Sequence, residues 1–172
     1  LLSRPSCWEQ ASWPHFVHAV VLIVQVDAES VSGVILNRPT TLTMRDVASR
    51  STAATPWSPE FDASPALFGG DVGESVLMLH GHEELGGIQL LPGVFACKTR
   101  ADFARASDFV AWRKIDPRSC RWFQGFCQWS TAELAHALQY GHWHVIHCDR
   151  HFILPHGGDH LDVWTDLHVL TS

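Results

Sequence analysis

At 172 residues the chain is long enough to bury a real core and too short for two comfortable domains, so one domain spanning 1–172 is expected. An apolar content of 46% against 17% charged residues excludes a disordered tail. A net charge of −6, with no run of Lys or Arg, argues against a nucleic-acid binder, which needs clustered cations to neutralise phosphates.

The longest apolar run, Ala19–Val24, falls far short of the roughly 20 residues that span a bilayer as a helix. The first residue is Leu, with no charged-then-apolar leader, as expected of a chain trimmed from something longer. Five cysteines at irregular spacing, with no C-x-x-C pair, fit a reducing intracellular setting better than a disulfide framework. Eight Trp against one Tyr predict large indoles in the core or at a partner surface.

In chain order, Ala19–Val26 is almost continuous Val, Leu and Ile, the pattern of a strand covered on both faces. Val31–Leu36 reads as a second strand, joined to the first in a hairpin through Asp27–Ser30. Asn37-Arg38-Pro39 should stop the pairing, because proline donates nothing to a ladder. Thr43 and Asp46 predict a capped short helix to about Arg50. The stretch 49–65, rich in Ser, Ala, Thr and Pro, predicts a long surface loop.

Ala66–Phe68 leads into Gly69-Gly70, read as a turn, and strands follow at Ser75–His80 and Val94–Cys97. Thr99 and Asp102 open a helix to about Trp112, with Phe103, Ala106, Phe109 and Val110 at helical spacing. Arg121–Cys127 alternates as a strand does. Ser130-Thr131-Ala132-Glu133 is a capping box whose helix buries Leu134, Ala137 and Leu138 and stops at Gly141. Trp143–Ile146 and Phe152–Leu154 are predicted closing strands, and His160–Leu170 is amphipathic and ambiguous.

Several of these landmarks, in this order, resemble the YqgE/AlgH family. The carriers are Phe16–Val24, then Gly33 through Asn37-Arg38-Pro39-Thr40, and Leu67-Phe68-Gly69-Gly70. Leu91-Pro92-Gly93-Val94-Phe95 follows, then Arg121 through Gly125-Phe126-Cys127-Gln128-Trp129, and Ala132-Glu133-Leu134 through Gly141-His142-Trp143. The family-motif residues on this reading are Asn37, Arg38, Pro39, Gly69, Gly70, Gly125, Trp129, Glu133 and Trp143. The resemblance implies an α+β fold of several coiled, mainly antiparallel β-sheets with a few packed helices. Departures at Asp71, Gln25-Val26 and Ala28-Glu29-Ser30 mark a divergent member. The Trp- and Cys-rich stretch before the capping box is closest to plastid-type eukaryotic relatives.

Candidate chemistry has a competing structural reading at each position. Arg38 presents a fork suited to carboxylate or phosphate, whereas Asn37 and Pro39 are accounted for by a structural corner. Gly69-Gly70 could admit a phosphate to the backbone, yet no Lys-Ser/Thr signature follows, and a tight turn explains it. His142, His144, His147, Cys148 and His151 fall close together and are all zinc-ligand types. On a strand His142 and His144 share a face, and Cys148 joins them only if the chain bends. The alternative is a water-facing polar edge, with Trp143 and Val145 on the core side. His80-Gly81-His82-Glu83-Glu84 lacks the H-E-x-x-H pattern, and His156, Asp159 and His160 flank a Gly-Gly loop. Cys127, beside Phe126 and Trp129, reads as a small core residue, and Cys97 and Cys148 remain open. No G-x-S-x-G, Walker A or dinucleotide fingerprint occurs.

The sequence therefore points first to a non-catalytic interaction module, an accessory or structural subunit bound to other protein subunits of a larger organellar assembly. A photosynthetic complex in the chloroplast is favoured over a mitochondrial one, and peripheral attachment to a membrane complex is compatible with it. No cofactor is expected on that reading, and no nucleic acid. The alternatives are a metal- or thiol-dependent enzyme using zinc at His142, His144 and Cys148, and a transcriptional regulator by family label alone.

Overall fold

The computed structural model describes residues 1–4, 7, 14–50, 59–154 and 163–169. Its frame is a hairpin of β2 (Val21–Val26) and β3 (Ser30–Ile35), antiparallel as predicted. Period-two alternation sorts β3 cleanly: Val31 and Ile35 enter one apolar cluster, and Val34 enters another on the opposite face. β2 is a terminal strand of the sheet, so its burial fades from Val21 to an exposed Gln25 and Val26. The expectation of cover on both faces fails there because the apolar run continues past the edge of the core.

The sheet runs β2-β3-β9-β6-β8-β7, where β6 is Val72–His80, β7 Ile88–Leu91, β8 Val94–Cys97 and β9 Arg121–Ser130. Two further strands, β4 (Pro39–Thr43) and β5 (Pro65–Phe68), pair with each other, and β5 lies parallel to β9. Pro39 therefore begins a strand instead of only ending one. The sheet curls into an antiparallel, nearly closed barrel: Leu22 and Val24 of one terminal strand share an apolar cluster with Leu90 and Leu91 of the other. Lys98 and Gln25, 73 residues apart, bond across the remaining gap at 2.9 Å.

β9 is the axis of this arrangement. Its first half runs between β5 and β6, while Cys127–Ser130 pair with Gly33–Ser30 of β3. The exchange of neighbours happens at Gly125, in the left-handed region at φ 72°. There the chain leaving β5 passes directly over β9. A β-carbon on Gly69 would lie 2.3 Å from the Gly125 carbonyl oxygen, and one on Gly125 would lie 2.3 Å from the Gly70 oxygen. Gly69 N–H donates to Gln124 O at 2.8 Å, and its own carbonyl accepts from Ile35 N–H at 2.9 Å. Gly69-Gly70 is thus a backbone crossing, not the tight turn its composition suggested.

Helices form where the capping signals predicted them. α1 (Met44–Arg50) starts at Thr43, which exchanges bonds with Asp46. α2 (Arg100–Ala111) and α3 (Thr131–Gln139) each carry a full capping box, Thr99/Asp102 and Ser130/Glu133, and Gly141 follows α3 at φ 69°. The 49–65 loop is only partly as expected. Residues 51–58 lie outside the described set, but Pro59–Phe61 form a 3-10 turn whose Phe61 is fully buried against Trp122.

Two carboxy-terminal expectations are overturned. The strand predicted at Trp143–Ile146 ends after His144, as β10 (Trp143–His144) paired with β1 (Leu2–Ser3), because only those two residues find an edge. Val145, assigned to the core by alternation, is 63% exposed. The predicted strand Phe152–Leu154 is instead a single helical turn, α4 (Arg150–Ile153), capped by Asp149. Of the amphipathic tail, Val163–Val169 form α5, burying Val163 and Leu167. No helix among the described residues is long and apolar enough to cross a membrane.

Candidate functional site

A groove of about 560 Å³ lies in the mouth of the curled sheet, within the size range of ligand sites. Its floor is one face of β3 and β9. Alternation places Ser30, Ser32 and Val34 on that face, and the register opposes Ser32 to Gln128. Gln124 lies on the far side of the Gly125 kink, and Leu77 and Phe126 add an apolar patch. The α1 and α2 side supplies Arg50, Arg100, Val47 and Phe103.

Cations outnumber acids here, Arg50, Lys98 and Arg100 against Asp27 and Glu74, in a chain whose net charge is −6. Lys98 is engaged: it donates to Gln25 Oε1, and Gln25 Nε2 donates to Asp27 at 2.8 Å. Among the described residues neither the Arg50 nor the Arg100 guanidinium makes a hydrogen bond or a close ion pair, although Arg50 lies near enough to Asp46 to add to the Thr43 hydrogen bonds that hold its carboxyl below the usual range. Among the described residues the lining contains no His and no Cys. Its described side chains can bind and orient, and among them there is no pairing of nucleophile and base. Sequence reading missed these residues, although Ser30 and Ser32 alternating with Val31 and Gly33 were the available signal.

A second cluster sits in the core behind β6 and β8. His80 is fully buried, its Nε2 lies 3.2 Å from Cys97 Sγ, and its Nδ1 accepts from His82 N–H at 3.2 Å. An acceptor at Nδ1 requires the neutral ring, with the proton on Nε2 facing sulfur. Burial pushes the His80 imidazole down to about 4 and the Cys97 thiol up to about 12. Desolvation thus holds the pair neutral, the opposite of a thiolate–imidazolium nucleophile. His82 turns outward to Ser119 Oγ at 2.7 Å. Cys120 and Cys127 are likewise buried, each thiol pushed up to about 12 by desolvation.

The Asn37-Arg38-Pro39 segment is an internal tie. Asn37 Oδ1 accepts from Val20 N–H at 2.9 Å, and its Nδ2 donates to His18 O at 2.8 Å, so one amide satisfies two backbone groups before β2. Arg38 spends its fork on the carbonyls of His15, Val17 and Asn37. Its guanidinium is directed at backbone carbonyls rather than toward an anion. The segment is structural, as the corner reading had it, with two changes: Pro39 begins a strand, and all of the segment's side-chain partners but Asn37 O lie 17 to 23 residues away in sequence.

The other family-motif residues are also framework. Trp129 stacks at 5.8 Å on Phe16, and the buried Trp143 meets Phe16 edge-on at 5.2 Å. Glu133 closes its capping box, and the bonds from Ser130 hold its carboxyl below the usual range. Of the zinc candidates, His144 is exposed while His142 and Cys148 are half-buried. Among the described residues no three His, Cys, Asp or Glu side chains gather at one ion position, so His142, His144 and Cys148 are not brought together. His156, Asp159 and His160 lie outside the described residues. Of the five Trp that are described, Trp122 and Trp143 are buried, Trp129 and Trp164 half-buried, and only Trp112 is exposed, at 62%.

Comparison with known proteins agrees with this architecture. Residues 8–170 match the family model described as AlgH-like. The crystal structure of protein DIP2367 from Corynebacterium diphtheriae superposes with a TM-score of 0.66 at 20% identity, covering 97% of this chain and 82% of that one. The solution structure of the AlgH protein from Pseudomonas aeruginosa gives a TM-score of 0.66 at 16% identity, over 99% of this chain and 84% of that one. No curated protein matches the sequence.

Proposed function

This chain belongs to the AlgH-like family, and from that premise we propose that it is a non-catalytic interaction module whose working surface is the groove in the mouth of the barrel. The observation that carries the reading is the composition of that groove. Amide and hydroxyl side chains form its floor, the guanidiniums of Arg50 and Arg100 flank it, and among the described residues no nucleophile–base pair lines it. Such a surface reads a ligand by hydrogen bonding and charge, without transforming it. The buried thiols of Cys97, Cys120 and Cys127 support the same conclusion, since their neutral state leaves those three sulfurs unactivated.

On this reading the chain acts as one AlgH-like domain over 1–172, an accessory subunit held against other proteins of a larger organellar assembly. The plastid-like Trp- and Cys-rich stretch around β9 favours the chloroplast as the compartment. Attachment to a membrane complex would be peripheral, through a protein partner.

The test compares three tagged forms in extracts of the source cells: wild type, Gln128→Trp in the groove, and Gln139→Trp on the exposed end of α3. Wild type and Gln139→Trp should migrate on native gels with a large assembly, and Gln128→Trp should be released from it. Migration of the wild type as a free monomer, or retention of Gln128→Trp in the assembly, would overturn the reading.

A further inference from the structure

We infer that the occupant of the groove is an extended acidic peptide segment of about four residues, contributed by a partner protein. This rests on the reading of the groove as the interaction surface and adds the chemistry of what it holds.

Length comes first. The floor runs from Ser30 to Val34 along β3 and from Gln128 to Gln124 along β9. Each strand contributes four steps at about 3.3 Å, a track about 13 Å long that an extended segment of four residues matches. A compact ligand would leave one end of such a track empty.

Hydrogen-bonding character comes second. Ser30, Ser32, Gln124 and Gln128 each offer both a donor and an acceptor. A peptide backbone alternates N–H and C=O along its length, so it satisfies a floor of this mixed kind. A ligand with acceptors only, such as a bare phosphate ester, would leave the acceptor half of every amide and hydroxyl unmatched. Leu77 and Phe126, both half-buried, form an apolar patch among these groups, suited to one apolar side chain.

Charge sets the sign. Lys98, Gln25 and Asp27 are linked to one another at one rim, whereas Arg50 and Arg100 stand at the helical wall without a hydrogen bond or ion pair among the described residues. Guanidinium forks match carboxylates in a bidentate manner, so these two cations select Asp or Glu side chains on the bound segment. Glu74 lies in the same groove and disfavours a run of acids along its whole length. The favoured pattern is therefore acidic residues flanking an apolar one.

A positional-scanning library of N-acetylated, C-amidated pentapeptides, panned on the intact chain, reads this directly. Wild type should enrich Asp or Glu on either side of an apolar residue by about tenfold, equivalent to about 1.4 kcal/mol of selection. The double reversal Arg50→Glu/Arg100→Glu should abolish that preference or turn it toward Lys and Arg. Both positions are on the surface of capped helices, and a retained dispersed amide NMR spectrum establishes that the variant is folded. Retained peptides should shift the side-chain amide resonances of Gln124 and Gln128.

Enrichment of basic peptides, no charge preference, or an acidic preference untouched by the double reversal would each sink the proposal. If acids are not selected while Gln128→Trp still frees the chain from its assembly, the groove remains the interaction surface and only the acidic occupant is wrong. If acids are selected but Gln128→Trp stays in the assembly, the groove binds acidic peptide and the assembly contact lies elsewhere.

Discussion

Replacing Gly125 by Ala tests whether the close crossing of β5 over β9 organises the fold, and Gly73 supplies an internal control. Both glycines lie in the left-handed region, at φ 72° and φ 68°, so each Ala variant carries the same conformational penalty, about 1 kcal/mol. They differ in what the new methyl meets. At Gly73 the nearest atom is Phe126 Cε1 at 3.6 Å, an ordinary contact. At Gly125 it is the Gly70 carbonyl oxygen at 2.3 Å, a backbone atom that yields only if the crossing opens. Forcing a methyl into such a space adds about 1–3 kcal/mol. Gly73→Ala should therefore lose about 1 kcal/mol and Gly125→Ala about 2–4 kcal/mol.

Urea unfolding followed by Trp fluorescence gives both numbers, with the buried Trp122 three residues from the substitution as reporter. In a chain of this size each kcal/mol corresponds to about 2–4 °C, so thermal midpoints should separate by about 2–12 °C. Equal losses in the two variants, within about 0.5 kcal/mol, would refute the claim that backbone proximity is what requires glycine at position 125.

Three further outcomes follow from the buried groups. The folded-state pKa of His80, about 4, lies below the ordinary value of 6.5, so the unfolded chain takes up this proton first as pH falls. Its contribution is complete above pH 6.5 and is lost on descending toward pH 4, amounting to about 3 kcal/mol. Urea midpoints at about pH 7 and about pH 4 should converge by that amount in His80→Asn relative to wild type, and an unchanged pH dependence would rule out the neutral buried ring. Thiol titration of the native protein should leave Cys97, Cys120 and Cys127 unmodified until denaturant is added; rapid labelling of Cys97, identified by peptide mapping, would show an accessible thiolate. Asn37→Ala removes two backbone partners, Val20 N–H and His18 O, and should lower stability by about 2 kcal/mol in equilibrium unfolding. A loss below about 0.5 kcal/mol would show that water replaces the amide without penalty.

Interactions confined to a few neighbouring residues were legible without coordinates. Thr99 with Asp102 and Ser130 with Glu133 specify helix starts within four residues, so their capping boxes and the helices behind them appear where predicted. The β2–β3 hairpin is equally local, and so is the stop at Gly141. What depends on a distant partner was not legible. Gly69-Gly70 looks like a turn in any window, and only the approach of Gly125, more than fifty residues on, makes it a crossing. Val145 and Phe152 carry strand-like patterns, but among the described residues neither pairs with a strand, and a strand without a partner leaves its backbone unbonded. The groove is the extreme case. Its serines, glutamines and arginines come from six separate elements and converge only once the sheet curls, because a curved surface is a property of the whole ladder and of no single strand.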